Sequence, residues 1–290
     1  LFVIFLIILI IAGLFFIVAN SSYVQTKLGH WVSERISKKL NAKVMVDKVD
    51  VDFLNRFTLS GFIIYDRQDD TLAYAKKINL TIRRLGIKDN TFRFGDLELD
   101  NAIFNIKQEK KEGGTNLDFV VNYFTKPHAA KDSTQNNLLL AAQAVRLNNC
   151  LFSYENKFEP AMDSILDFNH LKVAKINGLI EDFLLMGDSL KGEFRTFSFR
   201  EKTGFTLADL QGGFKINTKG IYTSNLQLLT EDSKLEGDIA VLHKSWEGYK
   251  DFLSEIRWDG SLQRSKINLK DIGFFAPHLY NVNFPLFLEG

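Results

Sequence analysis

The residue types that most often perform catalysis or bind metals are scattered along this 290-residue chain. No two histidines form the H-x-x-x-H or H-E-x-x-H spacing that would place zinc ligands on one helix face. The sequence contains a single cysteine, Cys150, which excludes both an internal disulfide and a zinc site built from cysteines. The histidines are His30, His128, His170, His243 and His278.

The acidic pairs and the glycine pair also have a plain structural explanation. Asp69-Asp70 and Glu181-Asp182 are adjacent in sequence, and adjacent residues of a strand point to opposite faces, which is poor geometry for an acid–base dyad. Gly212-Gly213 lies inside an alternating run, so it predicts a bulge rather than a phosphate cradle. We therefore predict a protein without catalytic activity, cofactor or metal. The net charge of +1 gives no basic field for nucleic acid.

The N-terminal segment is an uncharged apolar run. Residues 1–19 would extend about 28 Å as a helix, close to the roughly 30 Å thickness of a bilayer core. The competing interpretation is a cleaved signal peptide, but such apolar regions usually measure about 7–15 residues and end in a small-residue cleavage site. Here the longer run is followed by Asn20-Ser21-Ser22. We predict a retained transmembrane anchor over residues 1–20.

An amphipathic helix is predicted over residues 21–41. Ser22-x-x-Gln25 has the form of a capping box, and apolar residues then recur at helical spacing. This stripe could pack on the following domain, or the helix could also lie near lipid headgroups, and the sequence leaves both open. The apolar positions are Val24, Leu28, Trp31, Val32, Ile36 and Leu40; the membrane-interface candidates are Trp31, Lys27, Arg35, Lys38 and Lys39.

From residue 42 the apolar residues alternate with polar ones, which is typical of strands with one apolar and one polar face. The chain holds 26 phenylalanines and only 4 prolines, as a long sheet would allow. We expect about fourteen largely antiparallel strands, a loop insertion over about 108–137 with a short helix at 116–124, and a bulge near Ala102 that shifts the alternation. The domain at 42–290 is expected to continue beyond residue 290. The residues expected to line one apolar groove are Val49, Val51, Phe53, Leu59, Leu97, Leu99, Phe197, Phe199, Leu226, Leu228, Ile239, Val241, Ile256, Trp258 and Leu262.

The order of these parts resembles the N-terminal region of the AsmA-like envelope proteins, in particular their TamB branch. The resemblance rests on a capped helix ending in LNAKV, followed by VDKVDVDFLNRFTLSGFIIYD, DTLAYAKKINLTI and FRFGDLELDNAIFNI. It is clearest over residues 42–82 and is confined to about 21–106 at the level of motif. These motifs consist of apolar alternation and glycines, without a catalytic signature.

The resemblance implies a mainly β protein: a transmembrane helix, an amphipathic helix, and a long twisted sheet forming an open apolar groove shaped like a taco shell. It implies a single-pass protein of the bacterial inner membrane with its bulk in the periplasm. The implied function is phospholipid transport between membranes, outer-membrane protein assembly, or both. The implied partners are phospholipid acyl chains, the inner membrane through residues 1–19, and an Omp-family barrel of the outer membrane through a C-terminal region not contained in these residues.

Two other classes of protein compete with this interpretation. A membrane-anchored β-sandwich ectodomain that binds a protein or glycan partner would use the same apolar residues in a closed core. An anchored envelope enzyme is disfavoured because no nucleophile, base or ligand set is clustered in the sequence. The excess of phenylalanine on one strand face favours the open groove over the sandwich.

Overall fold

The computed structural model describes residues 22–52, 55–86, 91–125, 138–162, 166–242, 257–279 and 282–290. Its helices are α1 (Ser22–Leu40), α2 (Asp118–Thr125), α3 (Leu269–Gly273) and a 3₁₀ turn (Pro277–Leu279). Its strands are β1 (Val44–Met45), β2 (Lys48–Asp52), β3 (Arg56–Tyr65), β4 (Thr71–Gly86), β5 (Thr91–Lys107), β6 (Leu139–Glu155), β7 (His170–Met186), β8 (Ser189–Glu201), β9 (Thr206–Asn217), β10 (Gly220–Thr230), β11 (Lys234–Leu242), β12 (Arg257–Leu262), β13 (Ser265–Asn268) and β14 (Pro285–Leu288).

All 14 strands belong to one sheet, so the chain is mainly β, as the alternation predicts. From β3 to β11 each strand pairs with its neighbours in sequence, while β1 and β2 both pair with β3, and β12 and β13 both pair with β11. With strands about 4.8 Å apart, this order extends about 50 Å across the sheet. The edges are not joined to each other in the described part of the chain, so the sheet is open.

The sheet is mixed rather than purely antiparallel. β5 and β6 run parallel, with Leu97 opposite Val145 and Leu99 opposite Leu147. A parallel pair needs a connection that returns the chain to the starting end of the sheet, and the segment between β5 and β6, which contains α2, provides it. The predicted insertion is therefore the crossover of the only parallel pairing among the described strands.

The two faces of the sheet differ in chemistry. Directly opposed residues of neighbouring strands share a face, so the register assigns the sides. One row runs Val49–Leu59–Ile78–Leu99–Leu147–Gly178–Phe197 across seven strands, and it defines the apolar face. The opposite side carries Asp96, Glu98 and Arg146 and is the polar face. There Arg146 donates to Asp96 at 3.0 Å, and Asn79 donates to Glu98 at 2.9 Å.

Helix α1 closes the free edge of β1. The Oγ of Ser33 accepts a hydrogen bond from the amide of Val46 at 2.8 Å. The Oγ of Ser37 accepts from the amide of Val44 at 2.9 Å and donates to its carbonyl at 3.2 Å. Unpaired backbone groups on an edge strand invite pairing with another chain, and these serines satisfy such groups from the side.

Left-handed residues lie at aligned positions of three strands, β3, β5 and β6. Gly61 of β3, Asn101 of β5 and Asn149 of β6 have φ of 63°, 48° and 52°. They are aligned by the flanking register, and Asn149 Nδ2 donates to Asn101 Oδ1 at 2.7 Å. We call this line the crease. Because Asn101 is left-handed, Leu99 and Ala102 both lie on the apolar face, so the shift of alternation expected near Ala102 is present. The expected bulge is not present: from β3 to β6 each residue of the crease lies opposite a single residue of the next strand, and no strand has an extra residue there.

Candidate functional site

The candidate site is the apolar face, because it carries unbroken rows of large apolar side chains. One row crosses eight strands with no polar residue: Phe92, Leu140, Leu185, Leu190, Ile216, Ile221 and Val241 follow one another by direct register, and the backbone of Trp258 pairs opposite Val241. A second row consists of Val51, Phe57, Leu80, Leu97, Val145, Ile180, Phe194 and Gly212. Continuous rows of this length form an apolar surface along the whole sheet.

Most of these large side chains are half-buried rather than buried. Phe57, Leu97, Phe194 and Ile216 are partly accessible, and Val51 is 41% exposed. The most deeply buried residues of this face include the small Ala102 and Cys150 at the crease, at 0% and 2%. Some larger residues of the face, such as Val145, Ile180 and Leu207, are buried too, but in the two rows the buried ones are the minority. A closed sandwich would bury the large side chains as well. The face is therefore a trough with a closed floor and accessible walls.

The floor of the trough is packed at the crease. Ala75, Ala102, Cys150, Val173 and Ile176 form a buried cluster. Burial raises the pKa of the Cys150 thiol, and backbone hydrogen bonds at Ala102 and Asn148 oppose this rise only in part. Buried among these apolar side chains, Cys150 acts as a small apolar residue.

One part of the apolar face is covered. Leu166, Phe205 and Leu207 form a buried cluster, against which Phe274, just after α3, packs. Phe205 lies 5.5 Å from Phe274 between ring centroids. Ring contacts continue from this cluster along β8 through Phe199, Phe197 and Phe194 to Phe214 of β9. The aromatic side chains thus form a track from the covered part into the open part.

The structure brings together the predicted groove residues that it describes. Val49, Val51, Leu59, Leu97, Leu99, Phe197, Phe199, Leu226, Leu228, Ile239, Val241 and Leu262 all lie on the apolar face by register or packing. Phe53 and Ile256 lie outside the described residues, and for Trp258 only the backbone is described. Sequence reasoning missed Leu190 and Ile216, which alternate with Lys191 and Lys215 just as the residues of the predicted strands alternate. Their role as a groove for acyl chains stays a prediction.

The membrane-interface candidates lie on the outer side of α1. Trp31 is 57% exposed, and Lys27, Arg35 and Lys38 are exposed as well. The guanidinium of Arg35 lies 5.4 Å from the centre of the Trp31 ring, and the ammonium of Lys27 lies 5.1 Å from that of Tyr23. Trp31 therefore does not pack on the sheet with the other apolar positions of the helix. The side chain of Lys39 is not described.

The residues that could have performed chemistry have structural partners. Asp70 pairs with Lys107 at 2.7 Å and, through this hydrogen bond, raises the pKa of that ammonium. Glu181 pairs with Arg195 at 2.6 Å, and Asp182 has a φ of 49° at a bulge. No group of His, Cys, Asp and Glu within the described ranges could hold a metal ion.

No protein-family description matches this chain, and no curated protein matches it. Among the helices of the described residues, none has the length and apolar character needed to cross a bilayer. The predicted anchor at residues 1–20 lies outside the described part of the chain.

Proposed function

We propose that the protein is an inner-membrane-anchored periplasmic bridge or scaffold of the bacterial envelope. Its activity would be non-catalytic: phospholipid transport between membranes, a part in outer-membrane protein assembly, or both. The observation that carries this proposal is the apolar face, whose rows of large side chains continue across the sheet and stay half accessible. The resemblance to AsmA-like proteins in the sequence supports the same function.

Acyl chains suit this face for a physical reason. Soluble proteins rarely expose continuous apolar patches larger than a few hundred Å², and such patches mark binding surfaces. Acyl chains are flexible, purely apolar and without hydrogen-bonding groups, so they can fill a trough whose walls offer only carbon atoms. The headgroups can stay in water wherever the trough is open, that is, outside the part covered by Phe274. No directional contact is needed, so lipids can move along the face.

The position of α1 fits an anchored bridge. The helix packs on β1 and β2 at one edge of the sheet and follows the apolar run of residues 1–19 in sequence. If that run spans the inner membrane, the successive strands lead away from the bilayer, and the rows of the apolar face run in that direction. The exposed Trp31 and Arg35 would then lie beside the headgroups, where aromatic and basic side chains are favoured.

Site-specific photocrosslinking tests the proposal. A photoreactive phenylalanine analogue replaces Ile216 on the apolar face or, as the matched control, exposed Lys77 on the polar face. Both variants of the full chain are made in a bacterial host, irradiated in the membrane fraction and analysed by mass spectrometry. We expect phospholipid adducts at position 216 and none at position 77. Equal labelling at both positions, or no lipid adduct at position 216, would overturn the proposal.

The alternative is an anchored ectodomain that binds a protein or glycan partner. The packing of Leu166 and Phe205 with Phe274 favours it locally, because there a closed core does form on the apolar face. The same experiment separates the two functions. An ectodomain would give protein adducts or none at position 216, whereas a lipid bridge gives phospholipid adducts.

A further inference from the structure

The polar face contains one region where charges are arranged unlike the rest. Elsewhere on this face several charged side chains form ion pairs: Arg146 with Asp96, and Arg195 with Glu181 and Glu193. Near the ends of the strands, direct register instead produces a row across six strands. It consists of Arg93, Ala141, Leu184, Lys191, Lys215 and Tyr222. We call it the basic row.

Like charges face each other in the basic row. Lys191 stands directly opposite Lys215, and Arg93 stands directly opposite Arg84. Like charges directly opposed on neighbouring strands destabilise a sheet. Within the described part of the chain, no carboxylate forms an ion pair with Arg93, Lys191 or Lys215. Within the described residues, no ion pair therefore offsets the repulsion between Lys191 and Lys215.

The basic row borders a concave site. A cavity of about 850 Å³ lies over it and is also lined by Arg83, whose Nη2 donates to Gln143 Oε1 at 3.0 Å. The hydroxyls of Tyr222 and Ser224 complete its polar lining. Two carboxylates lie at the same cavity: Glu193, which accepts a hydrogen bond from Arg195 at 2.6 Å, and the exposed Asp182. Four cations thus line the cavity against one carboxylate not already held by Arg195.

We propose that this cavity binds an anion that carries two phosphate groups. The cations fall into two centres, Arg83 with Arg93 and Lys191 with Lys215, on strands separated by about 14 Å at the usual strand spacing. Between the centres the basic row contributes an apolar floor, Ala141 and Leu184, beside the polar Gln143, Asp182 and Glu193 of the same cavity. Guanidinium groups bind phosphate oxygens with paired hydrogen bonds, and lysine binds them as a point charge. The ligand would place one phosphate at each centre and its body over the apolar floor.

The bound phosphates could belong to a soluble molecule or to a lipid headgroup, and the site lies on the face opposite the trough. It is therefore independent of the proposed lipid groove. Calorimetry on the full chain in neutral detergent separates the two sources. Inositol hexakisphosphate is the soluble probe, inorganic phosphate the single-phosphate control, and cardiolipin in the same micelles the lipid probe. We expect saturable binding of inositol hexakisphosphate, with inorganic phosphate about tenfold weaker or more, since one centre would stay empty. Competition by cardiolipin would assign the ligand to a lipid, and its absence to a soluble molecule.

Charge removal tests whether the basic row forms the site. Lys191→Gln and Lys215→Gln should each weaken binding of inositol hexakisphosphate about tenfold, the effect of one charge-assisted hydrogen bond. Each should also raise the melting temperature of the free protein, because it removes like-charge repulsion. Arg146→Gln, also on the polar face but paired with Asp96, is the matched control and should leave the affinity unchanged.

Three outcomes would contradict a two-phosphate site at the basic row. Absence of heat with both inositol hexakisphosphate and cardiolipin would overturn it. Equal weakening by Arg146→Gln and Lys191→Gln would assign the binding to the general charge of the surface. A lower melting temperature of both lysine variants without probe would show that the row is not under repulsion, and the inference would fail.

Discussion

A carboxylate placed on the apolar face separates an open trough from a closed core. Ile216 is half-buried between Leu190 and Ile221, whereas Ala102 on the floor is 0% exposed. Full burial of an isoleucine side chain contributes about 1.5–3 kcal/mol, so a half-buried one contributes about 1 kcal/mol. In Ile216→Asp the new carboxylate can stay hydrated, so we expect the free energy of unfolding to fall only by the contribution of the isoleucine side chain, about 1 kcal/mol. In Ala102→Asp an unpaired charge would be buried, which costs about 3 kcal/mol or more.

These magnitudes predict different melting behaviour. For a protein of this size, about 1 kcal/mol lowers the melting temperature by about 2–4 °C, so Ile216→Asp should remain folded. Ala102→Asp should lose much of a total stability of about 5–15 kcal/mol. The assay is thermal unfolding followed by circular dichroism in neutral detergent, with the co-purifying phospholipid measured on the same samples. Ile216→Asp should carry less phospholipid than the wild type.

Thr81→Asp is the control for added charge, because Thr81 lies on the polar face opposite Arg56. It should change neither melting temperature nor phospholipid content appreciably. If Ile216→Asp unfolds as readily as Ala102→Asp, the face is a closed core and the trough is refuted. If Ile216→Asp folds and retains the phospholipid content of the wild type, this face does not hold acyl chains.

Three further predictions concern the structures that support the sheet. Ser33→Ala leaves the Val46 amide without its acceptor and should cost about 1–3 kcal/mol, seen in melting and in faster hydrogen exchange at Val46. Asn101→Gly and Asn101→Ala both lose the hydrogen bond from Asn149, but the Ala variant should be about 1 kcal/mol less stable than the Gly variant in urea unfolding, because φ is 48°. Asp167→Asn should lower the melting temperature most at neutral pH, because the Met162 amide and His170 then lose a carboxylate acceptor.

The pH dependence of the Asp167 variant follows from the sign of the shift. Burial alone would raise the pKa of the Asp167 carboxyl, but hydrogen bonds from the amides of Met162 and Asn169 and from His170 hold it below its usual value. A lowered pKa in the folded state stabilises the protein above about pH 4 and loses this effect as the pH falls further. The difference in melting temperature between the wild type and Asp167→Asn should therefore become smaller in acid. A gap that is constant with pH would contradict this account.

The controls for the other two variants are conservative changes. Ser33→Thr keeps the hydroxyl and should restore much of the lost stability, whereas an Ala variant as stable as the wild type would show that the edge needs no cap. Asn101→Asp keeps both an acceptor for Asn149 and a side chain tolerant of left-handed backbone, so it should be more stable than Asn101→Ala. An Ala variant as stable as the Gly variant would show that the crease carries no backbone strain.

The sequence predicted the apolar face well because alternation is a local signal. Val49, Leu97 and Phe199 were assigned to one face from single strands, and the register places them on one surface. The shift near Ala102 was also predictable, because Ile103 interrupts the alternation. What local patterns could not predict is which strands become neighbours. The parallel pairing of β5 with β6 depends on the crossover between them, and the residue pattern of the two strands does not predict this pairing.

The basic row shows the same limit on the polar face. Within its own strand, each of Lys191 and Lys215 is an ordinary solvent-facing residue. Only the register between the strands, which places them opposite each other, shows that they form a cluster of positive charge. Trp31 shows a different limit. Its helical spacing fits the apolar stripe, yet it is 57% exposed beside Arg35, because the narrow contact of α1 with β1 and β2 leaves it outside. Periodicity identifies a helix face but not how wide its contact is.

The crease also governs how such a sheet can fold. A slip of two residues between neighbouring strands would keep every apolar side chain on its proper side, so alternation alone does not prevent it. The left-handed residues Asn101 and Asn149 remove this ambiguity between β5 and β6, because they are aligned with each other and a slip would place each beside an extended residue. On β3, a Cβ at Gly61 would overlap the carboxylate of Asp47, so this position requires glycine. The crease thus favours the correct register of β5 and β6 over slipped pairings that keep the same apolar face.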